Sequence, residues 1–166
     1  MAHFVVSEWT LGLLLAVYTE KGLHSVFLGK QSNELMKTLE LKFPEVQEMS
    51  KAHAFFKDTQ SLVDYANFKT DRYTGPLDLQ GTLFQKEVWN LLQKIPFGET
   101  MTYSGVSKQL GRAKAYRAVA QACGANSLPL VIPCHRVVGQ KGLGGYRYGI
   151  ELKERLIQKE SLKTPR

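Results

Sequence analysis

One short stretch of the sequence combines residue types that could carry out nucleophilic chemistry. Residues 130–139 have the sequence LVIPCHRVVG, in which Cys134 is followed directly by His135 and Arg136 within an otherwise apolar run. A thiolate is a strong nucleophile, and positively charged neighbours lower the pKa of a thiol and so favour the thiolate. We therefore interpret Cys134 as a reactive cysteine. The alternative, a small buried hydrophobic residue, is common for single cysteines and stays open at this point.

The remaining cysteine and histidine residues do not indicate a metal site. The chain has one further cysteine, Cys123, and no C-x-x-C pair, and its four histidines lack the spacing of metal ligands: His3, His24, His53 and His135. Structural zinc sites need clustered thiolate or imidazole groups. We therefore predict no bound metal.

The composition is that of a globular protein inside the cell. Of the 166 residues, 43% are hydrophobic and 22% are charged, which argues against disorder. No apolar run approaches the ~18 residues of a membrane span, and the first residues, MAHFVVSEWT, lack the features of a secretory signal. We expect a cytoplasmic monomer without a membrane partner, in which both cysteines are free thiols.

The positive charge of the chain is concentrated in one segment. The net charge is +7, and no acidic residue lies between Glu99 and Glu151, whereas this segment holds seven basic residues: Lys108, Arg112, Lys114, Arg117, Arg136, Lys141 and Arg147. A surface of one sign attracts polyanions, and nucleic acid is the first candidate. A solvated basic surface without a partner is the alternative interpretation.

The first part of the chain predicts a small antiparallel sheet with helices. The segments HFVVS, TLGLLLAVY and LHSVFLG are typical of strands, with TEKG as a hairpin turn between the last two. Helical spacing follows from Ser32 to about Phe43 and again within residues 46–66. Residues 71–81 predict an extended connector. We therefore predict an N-terminal α/β domain over residues 1–78 and a second domain over residues 79–166.

The second domain predicts helices on either side of the reactive cysteine. Thr82 and Gln85 have the spacing of a capping box at the start of a helix. YSGVSKQLG and AKAYRAVAQACG predict two short helices, each ended by a glycine and separated by the tight GRA, which is the helix-turn-helix pattern. A last helix over about 150–160 has charges on one side and apolar residues on the other: Ile150, Leu152, Leu156 and Ile157.

The second helix of this pair is rich in alanine, so it can approach another surface closely. Its longer side chains include Tyr116 and Arg117, and no acidic residue opposes Arg112, Lys114 or Arg117. We predict phosphate contacts for this exposed face.

Five motifs in this order carry a resemblance to a known family: GTLFQKEVW, IPFGETMTYSGVS, RAKAYRAVAQACGAN, IPCHRVVG and GLGGYRYG. Together they closely resemble the O6-alkylguanine-DNA alkyltransferases, strongly over residues 79–160 and loosely before. The resemblance implies an α/β (α+β) fold, with a ribonuclease-H-like N-terminal domain and a helical C-terminal domain that holds a winged-helix-like helix-turn-helix.

The resemblance also implies the catalytic roles. Cys134 is expected to be the alkyl acceptor, and His135 the base that removes its proton through a water. Glu160 is expected to orient His135, and Tyr103 to donate a proton as the guanine leaves. No cofactor is implied, and each molecule is expected to react once. Some members bind a structural zinc through cysteines of the first domain, but this chain has no cysteine before Cys123, so we do not predict this metal.

The expected partner is double-stranded DNA that carries an alkylated guanine. The resemblance makes Arg117 the finger that replaces the flipped nucleotide and Asn126 the hinge between the DNA-binding helix and the cysteine. The carbonyl groups of Cys134 and Val137 are expected to accept from the guanine amino group, and Tyr146 to wall the pocket. The remaining expected DNA contacts and pocket residues are Arg112, Lys114, Tyr116, Arg136 and Arg147, and Arg147 and Tyr148 are expected to bear on substrate size.

Two other functions stay open from the residues. The first is a non-enzymatic helix-turn-helix protein that regulates genes or senses damage, although relatives that grip damaged bases without repairing them replace the acceptor cysteine. The second is a thiol hydrolase that uses Cys134 and His135, which leaves the helix-turn-helix and the segregated charge unexplained. The sequence also leaves open whether O4-alkylthymine is a substrate.

Overall fold

The computed structural model describes residues 1–163, and the chain folds as two compact units, Met1–Gln80 and Gly81–Arg166. The first unit begins with the three predicted strands, β1 (His3–Trp9), β2 (Gly12–Thr19) and β3 (Gly22–Gly29), which pair antiparallel in chain order. The hairpin predicted between β2 and β3 is confirmed.

A fourth strand, which the sequence did not predict, extends this sheet. It is β4 (Gln47–Glu48), which pairs parallel to β1 and gives the strand order β3-β2-β1-β4. Two exposed polar residues carry no alternating hydrophobic pattern, so such a strand is invisible to periodicity. The sheet is therefore mixed at this edge.

Two helices belong to the first unit, α1 (Ser32–Lys42) and α2 (Phe56–Ala66). Leu35 and Leu39 of α1 pack in one cluster with Leu15, Val17 and Phe27 of the sheet. The other face of β2 is also buried, and there Tyr18 stacks on the ring of Phe55, directly before α2. Burial on both faces explains why β2 is an uninterrupted apolar run and does not alternate.

The second unit contains four helices and two short strands over residues 81–163. The helices are α3 (Leu83–Leu92), α4 (Tyr103–Gln109), α5 (Tyr116–Gly124) and α6 (Ile150–Lys163), and the strands are β5 (Met101–Thr102) and β6 (Val137–Val138). The capping box of Thr82 and Gln85 is confirmed at the start of α3. Trp89 of α3 is buried, and its indole N–H donates to the Ala122 carbonyl of α5 at 2.9 Å.

The two short helices α4 and α5 pack together, as the helix-turn-helix pattern predicts, but the details of their ends differ. Gly111 follows α4 with a φ of +71°, as expected of a glycine cap. Gly124 does not have a positive φ and is the last residue of α5 itself. The helix also starts only at Tyr116, so Arg112 and Lys114 lie in the connecting loop. The winged-helix-like and ribonuclease-H-like descriptions stay predictions.

The last helix, α6, differs from its prediction in which residues it buries. It runs three residues beyond Glu160, and Lys153 and Glu160 lie on its buried side with Leu156. Ile150, assigned to the apolar side from the sequence, is exposed. Within residues 1–163, no helix combines the length and the apolar composition needed to cross a bilayer.

Candidate active site

Cys134 lies in a single 3₁₀ turn, Cys134–Arg136, which we call the cysteine turn. It follows Pro133 and leads directly into β6, which pairs parallel to β5. Strand β5 ends at Thr102, whose hydroxyl caps α4 by accepting from the Gly105 N–H. This pairing brings Tyr103, the first residue of α4, to the same site as the cysteine.

A pocket of about 290 Å³ opens over the cysteine turn. This volume is just below the range for small-molecule sites, about 300–1,000 Å³. Its lining includes both cysteines and three tyrosines: Tyr103, Cys123, Cys134, Tyr146 and Tyr148. Tyr103, Tyr146 and Arg147 therefore lie together where the sequence analysis expected a substrate pocket.

Asn126 holds the cysteine turn in place through its side-chain amide. The buried amide nitrogen donates to the Ile132 carbonyl at 2.8 Å and to Cys134 Sγ at 3.3 Å, while Oδ1 accepts from the Leu128 N–H at 2.8 Å. These bonds connect the end of α5 to the reactive sulfur. Asn126 thus occupies the position expected of the hinge, with its amide turned inward to the turn.

A buried cluster of three charged or ionisable groups lies under the cysteine turn. His135 Nε2 is 2.7 Å from Glu160 Oε1, and Arg136 donates to both carboxylate oxygens of Glu160 at 2.9 and 3.0 Å. Burial alone raises the pKa of Glu160, but the hydrogen bonds and charges of His135 and Arg136 outweigh burial and lower the pKa to about 2. Glu160 is therefore ionised at neutral pH.

The ionised carboxylate determines which nitrogen of His135 carries the proton. An ionised carboxylate only accepts hydrogen bonds, so His135 Nε2 donates to Glu160 and Nδ1 keeps its lone pair. Burial lowers the pKa of His135 against the opposing effect of Glu160, so the ring is neutral. Within residues 1–163, Nδ1 is buried and has no hydrogen-bond partner. This nitrogen is available as a base.

The structure corrects the prediction that Arg136 contacts DNA. Its side chain is only 4% exposed, and beyond its bonds to Glu160 it donates to the Ile95 carbonyl at 2.8 Å. A guanidinium that is buried and bonded inside the protein cannot reach a DNA phosphate. Arg136 instead ties the cysteine turn to α6 and to the segment after α3.

The charges that face Cys134 also differ from the expected ones. The sequence analysis assigned them to His135 and Arg136, but both of these bind Glu160. Burial raises the pKa of the Cys134 thiol, and the hydrogen bond from Asn126 and the positive charges of Lys153 and Arg147 oppose this effect. Sequence reasoning missed Lys153, although it lies three residues before Leu156 and seven before Glu160, which is the spacing of one helix face.

The second cysteine, Cys123, lines the pocket beside Cys134. Burial raises the pKa of Cys123 to about 12, and the nearby Cys134 acts in the same direction. Cys123 is therefore a neutral thiol at physiological pH and a poor nucleophile.

Tyr103 forms one wall of the pocket and is held in place by the glycine loop, residues 142–149. Gly144 has a φ of +73°, and a Cβ added there would lie 2.8 Å from Tyr103 Cε2. Burial raises the pKa of Tyr103 to about 12, with both cysteines contributing. The phenol is thus protonated and can donate a proton.

Hydrogen bonds also connect the glycine loop to the end of α5. Arg147 donates to the Gly124 and Asn126 carbonyls, and the rings of Tyr146 and Tyr148 meet edge to face at 5.9 Å. Val137, at the other end of the cysteine turn, is buried, and its carbonyl accepts from Lys153 at 2.6 Å.

The exposed residues of α5 and its preceding loop form a basic surface, which we call the α5 surface: Arg112, Lys114, Tyr116, Arg117, Ala120, Gln121 and Gly124. Ala120 and Gly124 also line the pocket, so this surface leads to the pocket mouth. Arg112 lies 3.3 Å from Glu87 and over the Phe84 ring, whereas Arg117 lies over the Tyr116 ring. Among the residues described, no three potential ligand side chains could hold a metal ion.

Known proteins have a similar fold and a similar sequence. A family model, the DNA-binding domain of 6-O-methylguanine DNA methyltransferase, matches residues 83–162. The O6-methylguanine methyltransferase of Mycobacterium tuberculosis has a similar structure, with 32% identity, a TM-score of 0.82, and coverage of 99% of this chain and 96% of that one. A structure of Mycobacterium tuberculosis OGT in complex with DNA matches at 30% identity and a TM-score of 0.82, over 98% and 95% of the two chains.

Curated relatives differ in how much of their length this chain spans. The regulatory protein Ada of Salmonella typhimurium is 37% identical over 97% of this chain, which spans only 46% of Ada. The methylated-DNA–protein-cysteine methyltransferase of Methanosarcina barkeri is 36% identical over 95% of this chain and 96% of its own length. Because this second relative is matched nearly from end to end, the chain belongs to the methylated-DNA–protein-cysteine methyltransferase family.

Proposed function

We propose that this protein repairs DNA by direct reversal, moving the alkyl group from O6 of an alkylated guanine to Cys134 Sγ, once per molecule. The observation that carries the proposal is the pocket, which is lined by the acceptor Cys134 and the proton donor Tyr103. The base, His135, directly follows Cys134 in the cysteine turn and is bonded to Glu160. The partner is double-stranded DNA, and the protein acts as a monomer. A cytoplasmic location is part of the proposal, and it is supported by the need for both DNA and a reduced thiol.

The first chemical step is removal of the Cys134 proton. His135 Nδ1 accepts it through a water, and Glu160 stabilises the resulting imidazolium because its carboxylate already accepts from Nε2 at 2.7 Å. The thiolate then attacks the alkyl carbon in line. The carbon–sulfur bond forms as the carbon–O6 bond breaks, and the electron pair of that bond goes to the guanine.

The guanine leaves as a neutral base. Tyr103 donates a proton to it, and the imidazolium of His135 returns a proton to the tyrosinate, so the proton first taken from Cys134 balances the reaction. The products are a Cys134 thioether and unmodified guanine. Thiol–disulfide exchange does not cleave a thioether, so the protein is consumed, and no cofactor is required.

The alkylated base reaches the pocket by leaving the helical stack. Flipping costs a few kcal/mol, and the α5 surface offsets this cost through phosphate contacts from Lys114 and Arg112 and through insertion of Arg117 into the gap. In the pocket, the Cys134 carbonyl accepts from the guanine amino group and Tyr146 packs against the base. The Val137 carbonyl, the second expected acceptor, is buried beside the pocket and already accepts from Lys153. Asn126 couples α5 to the sulfur through its bond to Sγ.

Intact mass spectrometry tests this proposal directly. Incubation with duplex DNA carrying O6-methylguanine is expected to add one methyl group per protein and to restore guanine. The adduct is sited by peptide fragmentation, because both cysteines lie on one tryptic peptide between Arg117 and Arg136. Cys134→Ser is the control, expected to lose transfer and to keep duplex affinity within a few-fold. An adduct on Cys123, or no adduct, would contradict the mechanism.

A further inference from the structure

Cys123 is a thiol of the pocket that the proposed repair mechanism does not use. It lies on α5, is half-buried, and lines the same pocket of about 290 Å³ as Cys134. The chain contains two cysteines in all, and both are free thiols. The whole thiol content of the protein therefore faces one cavity.

Electrostatic effects indicate that the two sulfur atoms lie close together. Beyond the effect of burial, the charge of Cys134 raises the pKa of Cys123, and such an effect weakens with distance. Beyond burial, both cysteines also shift the pKa of Tyr103 and the pKa of Lys153. The Asn126 amide holds Cys134 Sγ in its place at 3.3 Å. The two thiols thus occupy neighbouring positions on the pocket wall.

The other lining residues do not suit a hard metal ion. Among the residues that the structure describes, no carboxylate and no imidazole lines this pocket, and apolar or aromatic side chains form much of its wall, such as Ala120 and Pro129. Magnesium and calcium bind oxygen ligands, and structural zinc takes four ligands. Two thiols in such a cavity suit a soft centre that forms two bonds to sulfur.

We infer that the pocket is a dithiol site for trivalent organic arsenicals, in which the arsenic atom joins Cys123 Sγ to Cys134 Sγ. An arsenical of the form R–As=O loses its oxygen as water, which takes both thiol protons, while two arsenic–sulfur bonds form. Arsenic stays trivalent, so the step needs no oxidant or reductant. The organic group fits the cavity, since a cavity of about 150 Å³ already holds benzene.

The second thiol determines how strongly the arsenical is held. A single arsenic–sulfur bond exchanges with free monothiols, but once Cys134 is bonded, Cys123 is a neighbour in the same pocket and acts at a high effective concentration. Both thiols enter the reaction as neutral groups, which agrees with the raised pKa of each. The inference goes beyond the proposed repair, because neither DNA nor alkyl transfer takes part.

The experiment uses phenylarsine oxide and the full chain, without DNA, in an excess of the monothiol glutathione. For the unmodified sequence, we expect intact mass to show one phenylarsenic group per molecule, and thiol titration after removal of glutathione to show the loss of both thiols. The dithiol dimercaptopropanol is expected to remove the group. Cys123→Ser and Cys134→Ser are matched variants that keep one thiol each. We expect half-occupancy of either variant to need about 100-fold more phenylarsine oxide or greater.

The unmodified sequence decides the matter without any variant. An adduct that leaves one thiol free, or one that glutathione removes, would overturn the inference, and so would an arsenic bridge between two protein molecules, which is recognised by its doubled mass. Circular dichroism establishes which variants are folded, and a folded Cys123→Ser that holds the arsenical as strongly as the unmodified sequence would also overturn it. Because the assay uses no DNA, a failure of the proposed repair activity is recognised separately, from the experiment with O6-methylguanine.

Discussion

The side chain of Glu160 connects the chemistry of the site to the stability of the fold. Its carboxylate accepts from Arg136 and from His135, so it keeps a buried guanidinium neutralised and holds the histidine in one tautomer. The same carboxylate is 4% exposed, which removes solvent screening from these interactions. The Glu160 carboxylate therefore both fixes the tautomer of His135 and stabilises the fold by neutralising the buried Arg136.

Glu160→Gln is expected to destabilise the protein by about 3–5 kcal/mol, because it leaves Arg136 as a buried charge without an anion. It should also slow alkyl transfer, since the imidazolium of His135 loses its stabilising partner. Chemical denaturation and single-turnover transfer rates measure the two effects. Glu154→Gln, an exposed position on the same helix, is the control and should change the free energy of unfolding by less than about 0.5 kcal/mol.

The pH dependence of stability has a definite sign at this residue. The pKa of Glu160 is lowered in the fold from 4.5 to about 2. Its contribution to the free energy of unfolding is therefore fully present above pH 4.5 and is lost as the pH falls toward 2. Denaturation at several pH values should show this loss for the unmodified sequence and a flatter profile for Glu160→Gln. Equal profiles for the two proteins would contradict the assigned ion pairs.

Gly144 is expected to tolerate no side chain. Gly144→Ala places a methyl group in the left-handed region and against the ring of Tyr103, so we expect a loss of about 1–3 kcal/mol in stability and slower alkyl transfer. The matched control is Gly142→Ala in the same loop, where an added Cβ meets nothing within 4 Å. Thermal unfolding and transfer rates compare them, and equal behaviour of both variants would argue against the contact with Tyr103.

Residue patterns predicted local features of this site better than long-range ones. The capping box at Thr82 depends on residues close in sequence, and the sequence predicted it correctly. The charges that act on Cys134 were not predicted, because the adjacent His135 and Arg136 bind Glu160 in the fold. The burial of Arg136 and Lys153 was not, because lysine and arginine are almost always exposed and their partners are distant in sequence. Arg136 and Glu160 are 24 residues apart, and only the fold of the second unit brings them together.

At the scale of elements, the loop before α5 and the helix itself carry different parts of the proposed contact with DNA. Lys114 lies exposed in the loop, Arg117 lies on the helix beside the residues that reach the pocket, and Arg112 already has Glu87 as a partner at 3.3 Å. From these placements we expect Lys114 to contact phosphates generally and Arg117 to act at the flipped nucleotide.

Variants of these residues are expected to have different effects. Lys114→Ala should weaken duplex binding uniformly and reduce the salt slope by about one, whereas Arg117→Ala should slow repair more than it weakens binding. Arg112→Ala should lower affinity less than Lys114→Ala, since Glu87 offsets part of the Arg112 charge. Binding titrations over a salt series and single-turnover repair rates measure these effects. Equal and salt-independent losses of duplex affinity in all three variants would contradict these separate roles.

Element boundaries were less predictable than element types. The sequence indicated both short helices, but it placed the start of α5 too early and assigned a left-handed cap to Gly124, which ends α5 as a helical residue. Arg147 donates to the Gly124 carbonyl from 23 residues away and so bonds one of the last carbonyls of the helix, which have no partner within the helix. A hydrogen bond from a residue so distant in sequence cannot be predicted from the residues near the end of the helix.

At the scale of the whole molecule, the excess charge and the reactive sulfur come from the same part of the sequence. The seven basic residues between Glu99 and Glu151 supply the entire net charge of +7. One of these, Arg136, is used inside the fold, so the surface charge available for DNA comes from the others. The excess positive charge therefore lies in the unit that holds Cys134, where the proposed contacts with DNA are made.

The final prediction concerns stoichiometry and the fate of the reacted protein. Excess O6-methylguanine DNA is expected to be repaired only up to one equivalent, because the acceptor is a side chain and Cys123, with its raised pKa, does not remove the alkyl group. The thioether should destabilise the fold by about 1–3 kcal/mol through overpacking, since Cys134 is 7% exposed and its sulfur accepts from Asn126. Larger alkyl groups press further into the glycine loop, so the loss should grow with their size. Intact mass and thermal unfolding of the spent protein measure both effects, and sustained repair beyond one equivalent would rule out Cys134 as an irreversible acceptor.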